Sequence, residues 1–430
     1  MSFLIFFINL FVLVFFCRCF NLISRKHISM PGIYLCLSFL PTLTLIFPPL
    51  LEQVSDRPGY LNYLIAILMH TFFICFGVVL SYFMFNNGKV PNRKYSAFNF
   101  KTVRSVLFLK NLIMIIALIS FFHQILTLDS IPFLLIFKGS VADLTMARES
   151  GYKLHGGLMV YIWHFSRMVF IPFLVSFYFL KLVDCKTKKN LLAFILVLAF
   201  GIVNNALSGA KAPVAMLFLI LAILYFNQLG KIKIRVVIYS FLLIISFPFF
   251  VEYLFSDVGF IDSLGHFLEK FINRFSYETF DRTLSYFDIF PYREPFLGGR
   301  TNSLFTLFTG ESYFNVQNYV FIFRLDSLKE HLLYGSANAH FIGYMNADFG
   351  ITGVILSCLF IGLIIGTIDL FASSVMRDNI SLSIYIIIGF IFWKLMGSQP
   401  TTVLFSHGAI LAFIILFYIG SKVNRKNECY

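Results

Sequence analysis

YLNYLIAILMHTFFICFGVVLSYFMF, residues 60–85, contains no Lys, Arg, Asp or Glu. A helix rises about 1.5 Å per residue, so about 20 such residues span the hydrocarbon of a bilayer. This run is longer than that, and Val236 to Val251 repeats its character. Across the whole chain, hydrophobic residues fill 59% of 430 positions, charged residues 13%, and the mean hydropathy is +0.83. Soluble domains are roughly half apolar and a quarter charged. No water-soluble core absorbs the excess, so the expected fold is all-α: a polytopic membrane protein with a single transmembrane domain over residues 1–430.

Hydropathy places about eleven spans, near residues 2–22, 31–51, 60–85, 106–128, 158–180, 191–207, 213–228, 236–255, 346–371, 381–397 and 403–420. The second carries Pro41, Pro48 and Pro49, which remove helix hydrogen bonds and predict a kink or two shorter pieces. No cationic segment precedes the first apolar run and no small-residue cleavage site follows it, so it is expected to be a retained span.

The net charge of +13 would point to nucleic acid in a soluble protein. Here the cations sit between spans: Arg18, Arg25 and Lys26; Lys89, Arg93, Lys94, Lys101 and Arg104; Lys181, Lys186, Lys188 and Lys189; Lys231, Lys233 and Arg235; Lys422, Arg425 and Lys426. By the positive-inside rule these connections face the cytoplasm. The N-terminus is then outside, the C-terminus inside, and no nucleic-acid partner is implied. All seven cysteines fall in spans or on the cytoplasmic side, so no external disulfide framework is expected.

Two external segments result, residues 129–157 and a large loop over 256–345 between the eighth and ninth spans. Such a loop exceeds an ordinary connection. Leu264, Phe267, Leu268, Phe271, Ile272 and Phe275 recur within it at helical spacing and predict an amphipathic helix lying at the outer interface. Phe280 to Phe287 reads as a second amphipathic piece, followed by the turn-rich stretch Pro291 to Gly299.

Several residues could carry chemistry. Lys211 lies in the turn Ser208-Gly209-Ala210-Lys211-Ala212-Pro213, where small neighbours admit a bulky anion. His340 begins the entry to the ninth span, where Gly343, Ala347 and Gly350 form a small-residue face suited to close helix packing. Arg167 lies inside the fifth span beside His164, and Lys394 near the outer end of the tenth; cations at such depth are functional candidates. Glu252 is a possible base. The Gly-x-x-x-x-Gly-Lys, His-Glu-x-x-His, Gly-x-Ser-x-Gly and Asp-x-Asp signatures are absent, which argues against ATP hydrolysis, zinc catalysis and nucleotide-sugar donors.

Ser208-Gly209-Ala210-Lys211 resembles the Ser-Gly-Ser-Arg-Gly type turn of the O-antigen and oligosaccharide repeat-unit polymerases, relatives of the O-antigen ligases. Ala339-His340-Phe341-Ile342-Gly343 running into Asp348-Phe349-Gly350-Ile351-Thr352-Gly353-Val354 resembles the segment after their large external loop. Arg148, in Met146-Ala147-Arg148-Glu149-Ser150, is similar to an external Arg before their following span. Lys211 replaces the commoner Arg, giving a point charge instead of a fork.

The resemblance implies a metal- and nucleotide-independent membrane glycosyltransferase without cofactor, in the bacterial cytoplasmic membrane. Its substrates would be undecaprenyl-diphosphate-linked oligosaccharides, and its further partners membrane lipids, a chain-length regulator and a flippase. His340 is then the expected catalytic base, and Lys211, Arg148, Arg300, Arg274 and Arg167 the expected diphosphate or glycan contacts. Arg282 and Arg293 belong to the same pool of loop arginines. A lipid-linked oligosaccharide flippase and an O-antigen ligase are the competing readings, with a membrane O-acyltransferase behind them. Internal repeats, common in transporters, are not visible.

Overall fold

The structure is a computed structural model. It describes residues 2–23, 28–46, 54–91, 104–127, 158–207, 211–229, 277–325, 337–375 and 379–427, with isolated positions between 242 and 267. Among the described residues every regular element is helical: α1 (Ser2–Cys19), α2 (Met30–Ser38), α3 (Tyr60–Asn86), α4 (Arg104–Thr127), α5 (Leu158–Asp184), α6 (Lys188–Ala206), α7 (Lys211–Leu229), α8 (Glu278–Ile289), α9 (Ser303–Thr309), α10 (Val316–Leu325), α11 (Phe341–Val375), α12 (Asn379–Trp393) and α13 (Ala409–Asn427). Seven segments are long and apolar enough to cross a membrane: α1, α3, α4, α5, α6, α11 and Asn379–Met396. Met30–Ile46, Ala212–Asn227 and Ala409–Lys422 are apolar but shorter. The expected span at 236–255 and the expected amphipathic helix at 264–275 lie outside the described residues, except at isolated positions.

α3 and α11 form the central pair, because glycines let their backbones touch. A Cβ on Gly77 would lie 2.5 Å from the Leu359 carbonyl oxygen, and one on Gly362 would lie 2.4 Å from that of Ile74. One turn further along, Gly366 faces Ser81. Lipid tails are as apolar as side chains, so helix association here rests on such close packing. α12 is the innermost helix, buried at every residue from Asn379 to Phe392. Its Tyr385 hydroxyl donates to Asp369 of α11, which also accepts from Tyr82 of α3 at 2.6 Å. A carboxylate at that depth therefore has its acceptors occupied, as membrane burial demands. Outward-facing Phe72, Phe76, Phe83, Leu356 and Phe360 are exposed, as apolar side chains facing lipid should be.

In the described part of the expected second span, α2 stops at Ser38 and a 3-10 helix runs over Leu40–Ile46, whereas Pro48 and Pro49 lie outside the described residues. α5 is interrupted by a π-helical turn at Ser166–Phe170, immediately before Pro172.

The helix expected around Phe280 to Phe287 exists as α8, and it is buried against protein nearly throughout. Phe280 and Phe287 pack on Tyr63 of α3, with ring centroids 4.7 and 5.2 Å away. Its polar side is held by charge. Arg57, just before α3, donates from Nε to Asp288 at 2.6 Å and from Nη2 to Ser285 Oγ at 2.9 Å, and it also pairs with Asp281. Asp281 accepts a second cation, Arg324 of α10, and Asp288 also accepts the Gly59 amide at 3.0 Å. Burial opposes the Arg57 charge, but Asp288 and Asp281 outweigh it and raise its pKa. α8 is thus locked onto α3 and α10 by a four-residue ion network.

The small-residue face of α11 receives α8 and the Phe296 ring. Gly343 lies against Thr283 and Tyr286 of α8, while Gly350, at φ 65°, kinks α11 where the Phe296 ring presses on it. Only glycine takes that φ readily.

Candidate functional site

His340 occupies the seam between α3, α8 and the start of α11. It is 5% exposed. Its amide donates to Thr283 Oγ1 at 3.0 Å, its Nδ1 accepts the Ile342 amide at 3.3 Å, and its ring meets that of His70 edge-on at 4.6 Å. In a neutral imidazole this places the proton on Nε2. Burial, and after it the neighbouring His70, holds the His340 pKa well below the ordinary value. Tyr34 Oη contacts His70 Nε2 at 3.1 Å and closes the group. This surrounding fits a side chain that fixes the first turn of α11.

Arg300 lies in the turn that follows Gly298 and Gly299. Its Nε donates to the Ser312 carbonyl and its Nη2 to Ser312 Oγ, both at 3.3 Å; Glu311 lies 3.9 Å away and the Phe314 ring 5.9 Å. The turn is anchored on α11. Leu297 and Gly298 donate to the carbonyls of Ala347 and Asp348 at 2.9 Å, and Thr301 gives its amide and hydroxyl to the Asp348 carboxylate at 3.1 and 2.5 Å. Two further loop arginines are engaged, Arg282 with Glu278 at 2.8 Å and Arg293 over the Phe323 ring at 4.6 Å.

Arg167 belongs to a different group. It sits on the π-helical turn of α5 and donates to Gln124 Oε1 of α4 at 3.3 Å. One turn earlier on α5, His164 stands 5.8 Å, ring to ring, from His407, and His407 Nε2 contacts Ser398 Oγ at 3.2 Å. Both Arg167 and Lys394 lie close enough to His164 to interact with it electrostatically, and Lys394 does the same to His407. Lys394 makes no ion pair among the described residues; its Nζ lies 5.8 Å from the Trp393 ring. Five segments converge here: the end of α4, the start of α5, the end of α12, the turn after it, and a second π-helical turn, Thr402–Ser406. π-turns are rare and recur at functional sites, because the extra residue re-aims a side chain.

The buried atoms Gln124 Nε2, Ser166 Oγ and His407 Nδ1 have no hydrogen-bond partner among the described residues. Native structures pair most buried polar atoms with protein groups or ordered water. Gln399 Nε2 donates to the Thr301 carbonyl at 2.6 Å, joining this cluster to the Arg300 turn. A guanidinium, a lysine, two imidazoles and polar atoms without a partner among the described residues can bind an anion of high charge density.

Of the residues expected from sequence, Arg167 lies in the group with His164, and Arg300 lies in the turn whose Thr301 carbonyl accepts from Gln399. His340 lies about two turns back along α11 from Asp348, in its own buried setting. Lys211 begins α7, and its side chain lies outside the described residues, as do Arg148, Arg274 and Glu252. Near Lys211, at the end of α6, Asn204 is fully buried and neither amide atom is hydrogen-bonded among the described residues. His407, Ser398 and Gln124 were not singled out by sequence; the break Ser406-His407-Gly408 between two apolar runs was the available signal. Among the described residues no three His, Cys, Asp or Glu side chains group as metal ligands. Comparison with protein families, curated proteins and solved structures finds no match for this chain.

Proposed function

We propose that the protein is a multi-pass membrane glycosyltransferase that polymerises lipid-linked oligosaccharide repeat units on the external face of the bacterial cytoplasmic membrane. It would have eleven spans, the N-terminus outside and the C-terminus inside. The observation that carries this reading is the convergence of Arg167, Lys394, His164 and His407 beside the Thr301 turn. A lipid diphosphate needs several donors in a sheltered place near the membrane surface, and this cluster supplies them. Support also comes from the contacts at the loop end: Arg57 with α8, the α4–α5 contacts and the Gln399–Thr301 bond each join segments expected outside.

In the reaction, an acceptor hydroxyl oxygen of the incoming unit attacks C1 of the growing glycan. The C1–O bond to undecaprenyl diphosphate breaks, and the diphosphate leaves with the electron pair. Arg167 and Lys394 stabilise that charge, with Arg300 at the rim and Lys211, Arg148 and Arg274 as further contacts. The acceptor proton passes to His164 or His407, since His340 is enclosed beneath the loop. No nucleotide is needed, because the donor is already activated. Cells without the protein should accumulate single lipid-linked units and lack long chains; chains of normal length in such cells would overturn the proposal.

A further inference from the structure

α9, Ser303-Leu304-Phe305-Thr306-Leu307-Phe308-Thr309, has its polarity inverted relative to a helix on a water-soluble surface. Thr306 is its buried residue, and its hydroxyl turns back to the Ser303 carbonyl at 3.0 Å. Leu304, Phe305, Leu307 and Phe308 all point outward, Leu307 and Phe308 at 75% and 85% exposure. A helix in water buries its apolar side chains; one immersed in lipid presents them.

The ends of the helix are polar and closed. Asn302 caps its first amides, Oδ1 accepting from Leu304 at 3.0 Å, and Gly310 ends it at φ 73°. Below these, Phe314 N donates to the Arg300 carbonyl at 2.8 Å, and Arg300 also reaches Ser312 and Glu311. The segment is a loop with a charged neck at 300–312 and an apolar tip at 307–308.

Its position identifies the occupant. Phe305 meets Phe349 of α11 with ring centroids 6.1 Å apart. Phe349 begins the row of exposed apolar residues on that span, continued by Leu356 and Phe360, and lines an open groove with Met345, Gly353 and Leu356. The apolar tip is therefore continuous with the lipid-facing side of α11. Exposed Tyr292 and Tyr313 stand on the same loop, as aromatic residues with polar tips do at a bilayer interface.

We propose that residues 300–312 form a membrane-dipping loop, with α9 inserted into the leaflet on its side of the bundle and the Arg300–Glu311 neck at headgroup level. It holds the Gly298–Thr301 turn, and through Gln399 the cationic cluster, at a fixed height against the membrane. The partner is bilayer lipid itself, so the inference stands independently of the chemistry proposed above.

The test is fluorescence quenching of the full-length protein reconstituted in vesicles, with Phe308→Trp and Leu307→Trp made separately at exposed positions that tolerate a larger ring. The signal of the parent protein, which holds two tryptophans, is subtracted. The added tryptophan should emit at shorter wavelength than in detergent-free water, lose intensity with chain-brominated phosphatidylcholine, and resist acrylamide. Quenching by acrylamide without quenching by brominated lipid would overturn the proposal, as would a tryptophan reached by neither.

Discussion

Arg57→Ala should release the loop helix α8 from the bundle. Arg57 carries charge-assisted bonds to Asp288 and Asp281 and a bond to Ser285. Without it, Asp281 keeps Arg324, while Asp288 keeps the Gly59 amide and no cation among the described residues. A hydrogen bond to a charged group contributes about 1.5–3 kcal/mol, and breaking a buried pair from one side costs about 3–5 kcal/mol. The Arg57 side chain retains 26% exposure, so water screens part of this; about 2–3 kcal/mol is the expected loss. At about 1.4 kcal/mol per tenfold change, α8 should open roughly 30- to 140-fold more often. Amide hydrogen exchange of peptides covering 278–289, measured in nanodiscs, reads that opening, with the buried α12 as the internal reference. Arg57→Lys should fall between, because an ammonium cannot reproduce the fork to two carboxylates. Unchanged protection of 278–289 in Arg57→Ala would refute the latch.

Three further outcomes are expected. Gly362→Ala should lower the melting temperature in detergent, corresponding to about 1–3 kcal/mol of overpacking, because its methyl would meet the Ile74 carbonyl at 2.4 Å; an unchanged melt would show that α3 and α11 can separate freely. His340 has a folded pKa below its unfolded value of about 6.5, so its neutral contribution is complete above that pH and is lost as pH falls through it. The wild-type melting temperature should therefore drop between about pH 7 and about pH 5 more steeply than that of His340→Gln, and equal slopes would contradict the buried setting. Lys394→Met should weaken binding of undecaprenyl diphosphate to the reconstituted protein roughly 10- to 100-fold, with little effect on the monophosphate; equal losses for both lipids would remove Lys394 from the diphosphate contacts.

The helical class and the seven helices long and apolar enough to cross a membrane were legible because bilayer thickness imposes a length on apolar runs, as in residues 60–85. The break in the second span was legible from its prolines. What the sequence hid was long-range pairing. Nothing local marks Arg57 as the partner of Asp281 and Asp288, more than two hundred positions away, and amphipathic spacing in Phe280 to Phe287 could not distinguish a helix lying in lipid from one clamped among α3, α10 and α11. Arg167 was visible as a cation within a span, and Lys394 likewise; that both lie near His164, and that His407 joins them, depends on long-range helix packing that no local pattern marks. His340 stood out by its neighbours in sequence, whereas its role depends on burial, which composition does not report. α9 was not legible, because Leu304 to Phe308 is too short to register as a span.

Chain growth by the purified protein tests the central claim most directly. Reconstituted in vesicles with lipid-linked repeat units and no nucleotide sugar, the wild-type protein should convert single units into a ladder of longer lipid-linked chains. Arg167→Ala should slow that ladder on the order of 100-fold, the cost of losing one contact to the developing charge. Units carried across the vesicle membrane without any increase in length, or glycan moved only onto a lipid-core acceptor, would contradict polymerisation.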